Sequence, residues 1–117
     1  MSEQAPTVPS DHLRVMFFLT VEEEAQDRFL AAYDRICADV ADVPGHVTDQ
    51  VCQSLTDPRE WVITSEWRNA EDFLTWESGE GHRELAMPLV AETTSRRSLR
   101  FAVRRETRQK AQKAGSR

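Results

Sequence analysis

The sequence predicts an α+β fold: one antiparallel sheet of four strands with helices packed on one of its faces. Three observations predict it. Four stretches of strand character, at 13–20, 46–55, 60–67 and 97–104, are separated by two regions of helical spacing. The turn Thr56-Asp57-Pro58-Arg59 joins the two middle strands as a hairpin, because Asp and Pro both favour tight reversals. The chain of 117 residues suffices for one domain with one modest core.

The first strand, Leu13–Thr20, is apolar on both faces: Leu13, Val15, Phe17 and Leu19 point one way, Met16 and Phe18 the other. A strand of this kind is central and covered on both sides. The first helix is expected from Thr20, with Thr20 and Glu23 spaced as a capping box and Glu22–Glu24 at the positive end of the dipole. Ala25, Phe29, Tyr33, Ile36, Cys37 and Val40 form its inward stripe, and Pro44-Gly45 ends it. In His46–Leu55 the apolar positions Val47, Val51 and Leu55 stand among polar neighbours, and in Glu60–Trp67 the residues Trp61, Ile63 and Trp67 share a face. Asn69 is a natural N-cap for a second helix, with Asp72 at its third position. That helix carries Phe73, Leu74 and Trp76, breaks at Ser78–Gly81, and resumes over His82–Ala91, where Pro88 is expected to bend or restart it. Arg97–Arg104 is the last strand. The order β-α-β-β-α-β is the ferredoxin-like plan. The second apolar face of the first strand calls for cover on the open side of the sheet, and a second copy in a symmetric homodimer supplies it.

Composition narrows the function. Hydrophobic residues make up 39% and charged residues 30%, as in ordinary globular domains. No apolar run is long enough to span a bilayer, and the start MSEQAPTVPS has no basic, then apolar, leader pattern. Cys37 and Cys52 have neither metal nor disulfide spacing, so a cytoplasmic protein with reduced thiols is expected. The last thirteen residues hold five basic side chains against Glu106, which leaves the body at −9 within a chain total of −5. An acidic body argues against nucleic acid as a partner. Residues 1–11 and the basic tail 106–117 are expected to be disordered, flanking a domain over 12–105.

There is no Gly-rich phosphate loop, no dinucleotide fingerprint and no nucleophile elbow. His12, His46 and His82 fall on separate elements without metal-ligand spacing. The candidates that remain are Trp67, Asn69, Trp76, His82 and the nearby Arg83. Indole and amide N–H groups can polarise a carbonyl or a developing phenolate, and a histidine near neutral pKa can move a proton. Such a set suits a substrate that supplies its own electrons to dioxygen, with no cofactor. Plainer readings stand beside these: core packing for Trp67, a helix cap for Asn69, pocket wall or core for Trp76, and a cap or a solvent-facing position for His82 after the Gly-containing break. The arginines at 96, 97, 100 and 104 read as a solvated strand face, from which one could reach an anion.

Over Leu13–Arg105 the chain resembles the antibiotic biosynthesis monooxygenase family of the dimeric α/β-barrel superfamily, with a SchA/CurD-like flavour. The resemblance rests on the apolar first strand, Pro44-Gly45, QSLTDP at 53–58, SEWRNAEDFLTW at 65–76, and His82-Arg83 followed by Pro88. It implies a homodimer with a pocket between sheet and helices in each subunit. It also implies cofactor-independent oxidation of an anthrone- or naphthacenone-like polyketide to a quinone, with molecular oxygen as co-substrate. A non-oxidative cyclase, or a binding protein that assists polyketide cyclases, is the alternative. In quinone-forming members an Asn and a Trp near the end of the third strand contact substrate, and Trp67 and Asn69 are the nearest counterparts. Haem-degrading relatives use an Asn on the first strand, a Trp and a later His. Trp76 matches that Trp, but His82 comes about a helical turn early and the first strand has no Asn, which disfavours haem.

Overall fold

The computed structural model describes residues 12–109. The expected disorder of residues 1–11 and of the end of the tail, 110–117, lies outside the described residues; 103–109 follow the last strand without helix or strand. Within the described residues the elements are β1 (Leu13–Thr20), a 3-10 turn (Glu23–Ala25), α1 (Gln26–Val40), β2 (His46–Gln53), β3 (Glu60–Trp67), α2 (Ala70–Glu77), α3 (Glu80–Val90) and β4 (Ser95–Ala102). The sheet order is β2-β3-β1-β4 and every pairing is antiparallel. This is the expected ferredoxin-like α+β fold, with β1 at the centre.

The register fixes the two faces. Leu13, Val15, Phe17 and Leu19 stand beside Trp67, Ser65, Ile63 and Trp61 on the face that carries the helices. Two buried clusters fill the space beneath the helices. One joins Leu19, Val21, Phe29 and Trp61 with Leu89 of α3. The other joins Leu13, Val15, Val40, Trp67 and Phe73. On the opposite face Met16 and Phe18 lie alongside Val62, Thr64, Leu99 and Arg97. Met16, Phe18, Val62, Thr64 and Leu99 are only half-buried in the single chain, Arg97 is exposed, and Phe101 on the same face is 48% exposed.

Four expectations need correction. Thr20 does not cap α1. It ends β1 between Glu60 and Ser95, where its hydroxyl lies 2.9 Å from Ser95 Oγ. The chain stays extended through the fully buried Val21, whose amide donates to Arg59 O, and α1 starts only at Gln26 with no side-chain cap. β2 stops at Gln53, because Ser54 Oγ accepts the amides of Thr56 and Asp57 and turns the chain, leaving Leu55 fully exposed. β4 begins two residues early, since Ser95 already pairs with Thr20, and it ends at Ala102. Pro88 does not restart α3, which runs through it to Val90. The amide it lacks would have met Glu84 O, and both residues lie on the solvent side.

The hairpin loop at 54–59 explains why QSLTDP matters. Pro58 O accepts from Trp61 Nε1, Gln53 Nε2 and Gln26 Nε2 at 3.1, 2.8 and 3.0 Å. One carbonyl thereby ties β2, β3 and the start of α1 together. Gly45, with φ +86°, makes the turn from α1 into β2, and a Cβ there would run into the Asp72 carboxylate.

Candidate functional site

Between the sheet and its three helices lies a cavity of about 190 Å³. Val15, Phe17 and Ile63 form its floor on the sheet, while Leu85, Ala86 and Leu89 of α3 form much of its roof. Trp67, Trp76 and His82 all line it.

Each of these three arrives by a separate route. Trp67 ends β3 and is 1% exposed, with its indole N–H donating to Ser65 Oγ at 3.0 Å. It is a core residue that also presents a ring to the cavity, so core packing and pocket wall are both true of it. Trp76 comes from α2, and its indole stacks on that of Trp67 with centroids 5.3 Å apart and planes 30° apart. Phe73, one turn earlier on α2, meets Trp67 edge-on at 5.2 Å and locks the pair. His82 lies in the first turn of α3, just after the Ser78-Gly79 break that separates α3 from α2. Its ring meets Trp76 edge-on, centroids 4.3 Å apart and planes 73° apart.

His82 Nδ1 is buried and has no hydrogen-bond partner. Burial lowers its pKa below the ordinary 6.5; the neighbouring Glu77 carboxylate opposes this and Arg83 adds to it. The imidazole is therefore neutral at pH 7, with a ring nitrogen free to take a proton. Glu77 itself lines the cavity and is held by the guanidinium of Arg100. The β1–β4 register puts Arg100 beside Val15 on the helix side of the sheet, and its guanidinium lies over the Phe73 ring, 5.5 Å from the centroid. Arg100 thus stands against α2 and not on a uniformly solvated face, whereas Arg97 points to the open side.

Asn69 is placed differently. Its side-chain oxygen accepts the Asp72 amide at 2.8 Å, and its amide group donates to Asp72 Oδ2 at 3.2 Å. Both ends of the side chain are engaged in capping α2, and Asn69 is not among the cavity-lining residues.

Sequence reasoning missed the polar wall formed by α1 and β2. Tyr33, His46 and Asp49 all line the cavity. Burial, and then the charge of Asp49, push the Tyr33 hydroxyl pKa well above its ordinary value. In the sequence His46 stands out only as a histidine without metal-ligand spacing, at the start of a strand whose apolar positions begin at Val47. The β2–β3 register slips between His46 and Thr48, so His46 pairs with Trp67 and Val47 is left 48% exposed. A bulge re-aims side chains in this way. Nothing in the local alternation signals it.

Among the described residues, one set of potential metal ligands converges: His12, Glu66 and Glu106. Glu66 is on the open face of the sheet, beside Arg14 at 3.5 Å, and takes no part in the cavity. No described helix is long and apolar enough to cross a membrane. Cys37 and Cys52 are free thiols, both half-buried.

The fold and the cavity define a small α+β pocket protein, in which one aromatic-walled chamber carries a neutral histidine. Within that class the chain belongs to the antibiotic biosynthesis monooxygenase family, whose sequence model matches residues 12–86. Protein SchA of Streptomyces halstedii is 42% identical over 104 residues, covering 89% of this chain and 27% of that protein. The 42.8 kDa protein in the whiE locus of Streptomyces coelicolor is 46% identical over 95 residues, 81% of this chain and 24% of the relative. Polyketide synthase CurD of Streptomyces cyaneus is 40% identical over 95 residues, 81% of this chain and 25% of the relative. The chain therefore spans about a quarter of the length of the curated relatives it matches. Among solved structures, SnoaB of Streptomyces nogalater, described as a cofactor-independent oxygenase, superposes with a TM-score of 0.73 at 22% identity, covering 83% of this chain and 97% of its own. A conserved protein from Methanosarcina mazei Go1 does so with a TM-score of 0.73 at 14% identity, covering 81% of this chain and 95% of its own.

Proposed function

We propose that this chain is a cofactor-independent monooxygenase that oxidises an anthrone- or naphthacenone-like aromatic polyketide to the quinone. The observation that carries the reading is the convergence of Trp67, Trp76 and His82 on one apolar cavity, with His82 Nδ1 buried and unpartnered. Family membership and the polyketide-related names of the relatives support the substrate class.

His82, neutral at pH 7, removes a proton from the ring CH2 that lies next to the aromatic carbonyl system. The resulting carbanion is delocalised as a phenolate against the Trp67–Trp76 wall. It passes one electron to dioxygen, and the two radicals combine into a C–O–O bond at that carbon. His82 returns its proton to the distal oxygen and takes the second C–H proton; the C–H electrons form C=O and the O–O electrons leave with the distal oxygen as hydroxide. The hydroxide that departs takes the proton from His82 and leaves as water. The sum is CH2 plus O2 giving C=O plus H2O, with no external reductant. The apolar lining excludes water that would compete for the carbanion.

The half-exposed open face, with Met16, Phe18, Leu99 and Phe101, fits burial against a second copy, as in a homodimer.

A second reading is favoured by one observation: Tyr33 of α1 and His46 and Asp49 of β2 supply further acid–base groups to the cavity lining. These could steer a non-oxidative ring closure of a polyketide, alone or beside polyketide cyclases. One experiment separates the two readings. Purified protein, freed of metals by chelation, is mixed with the anthrone dithranol and oxygen uptake is followed. The oxygenase reading expects uptake above buffer, one O2 consumed per quinone formed. Uptake equal to buffer, with a changed product pattern from a poly-β-ketone, transfers the assignment to the cyclase reading.

A further inference from the structure

The cavity holds two histidines, and each has a buried nitrogen without a partner: Nδ1 of His82 and Nε2 of His46. The proposed chemistry uses only the first. The second needs its own account, because an unpaired buried polar atom costs stability unless something else satisfies it.

The His46 side chain is 7% exposed. Its ring meets Trp67 edge-on, centroids 5.3 Å apart and planes 83° apart, so its direction is fixed. The nearest charged group is Asp49 Oδ1, 3.9 Å from Nε2 and beyond hydrogen-bond reach. Asp49 also faces the Tyr33 hydroxyl. The backbone is shaped to produce this arrangement. Gly45 turns the chain with φ +86°, the register slip follows at once, and the slip sends His46 inward and Val47 outward. His46, Trp67, Trp76 and His82 thus form a series of ring contacts, with His46 edge-on to Trp67 and His82 edge-on to Trp76.

We propose that His46 is a substrate-recognition residue. With Asp49 and Tyr33 beside it, it forms a second polar end of the cavity, which binds a phenolic or enolic hydroxyl on the side of the ligand remote from His82. The ligand chemistry that satisfies both orphaned nitrogens is a planar aromatic ring system bearing one hydrogen-bonding oxygen at each end. The apolar walls cover the rings between those ends. The placement of the two ends rests on the reading of the cavity as an aromatic substrate site.

The test uses two small probes that differ by one group, 2-naphthol and 2,6-dihydroxynaphthalene, with binding measured by calorimetry under nitrogen. Two-ended recognition expects the diol to bind at least about tenfold more tightly, the scale of one well-made hydrogen bond to a buried group. His46→Phe then brings the ratio of the two affinities to within about twofold, because the ring is kept and the acceptor is lost. His46→Gln, which keeps a hydrogen-bonding group, retains part of the ratio. Equal binding of both probes by the unaltered protein overturns the proposal and leaves the aromatic cavity standing. A ratio unchanged in His46→Phe overturns it as well. Binding of neither probe, with dithranol still oxidised, removes the second polar end alone; binding of neither, with no oxidation, removes the substrate reading together with it.

Discussion

His82 and Trp76 are in direct edge-to-face contact, ring centroids 4.3 Å apart, although one lies on α3 and the other on α2. The two short helices meet at Ser78-Gly79, where the amides of Ser78 and Gly79 donate to Leu74 O and Trp76 O. The break between the helices is what brings the base candidate back over the indole.

His82→Gln is expected to lower kcat for dithranol oxidation on the order of a hundredfold, the usual scale for losing a positioned base. Oxygen-electrode rates against protein concentration check this. Because burial lowers the His82 pKa, the acid limb of kcat/KM falls below pH 6.5 and is absent from the residual rate of the variant.

The same titration touches stability. The folded pKa lies below the unfolded one, so between the two values the unfolded chain binds more protons and stability rises with pH. The contribution is complete above about pH 6.5 and is lost as pH falls from there toward the folded pKa. Thermal melts from pH 7.5 to 5 therefore show a falling Tm, and His82→Gln flattens part of that slope.

The two indoles separate by experiment. Trp67 is packed among Leu13, Val15, Val40 and Phe73, and Trp67→Ala is expected to cost about 3–5 kcal/mol in urea unfolding. Trp76 is only half-buried, and Trp76→Phe keeps most of the stability while removing its indole N–H and reshaping the cavity wall. It should slow turnover with a Tm close to that of the unaltered protein.

Asn69→Ala removes a cap and lowers stability by about 1 kcal/mol, with activity per folded molecule unchanged. Denaturant melts paired with oxygen uptake check both halves of this expectation.

The open sheet face gives the test of assembly. Phe101→Glu places a charge beside Arg14 at the edge of the Met16–Phe18–Leu99 patch. If that patch is covered by a second copy, sedimentation should show a shift from dimer to monomer at micromolar concentration. The monomer should retain its far-UV circular dichroism.

Local chemistry in the sequence determined most of the architecture. The two-faced apolarity of Leu13–Leu19 marked the central strand, Thr56–Arg59 marked the hairpin, and Asn69 marked the start of α2, since each signal acts within a few residues. Trp76 and His82 were legible as candidates because conspicuous residue types fell close together in the chain. Tertiary structure decided the rest. Thr20 was taken into the sheet because Glu60 and Ser95 stand on either side of it, and pairing with distant strands outweighed a local capping pattern. Asn69 is held at the start of α2 because both ends of its amide bind Asp72. His46 entered the cavity because a register slip against β3 exchanged it with Val47, and register is set between strands, where the sequence of one strand alone carries no record of it.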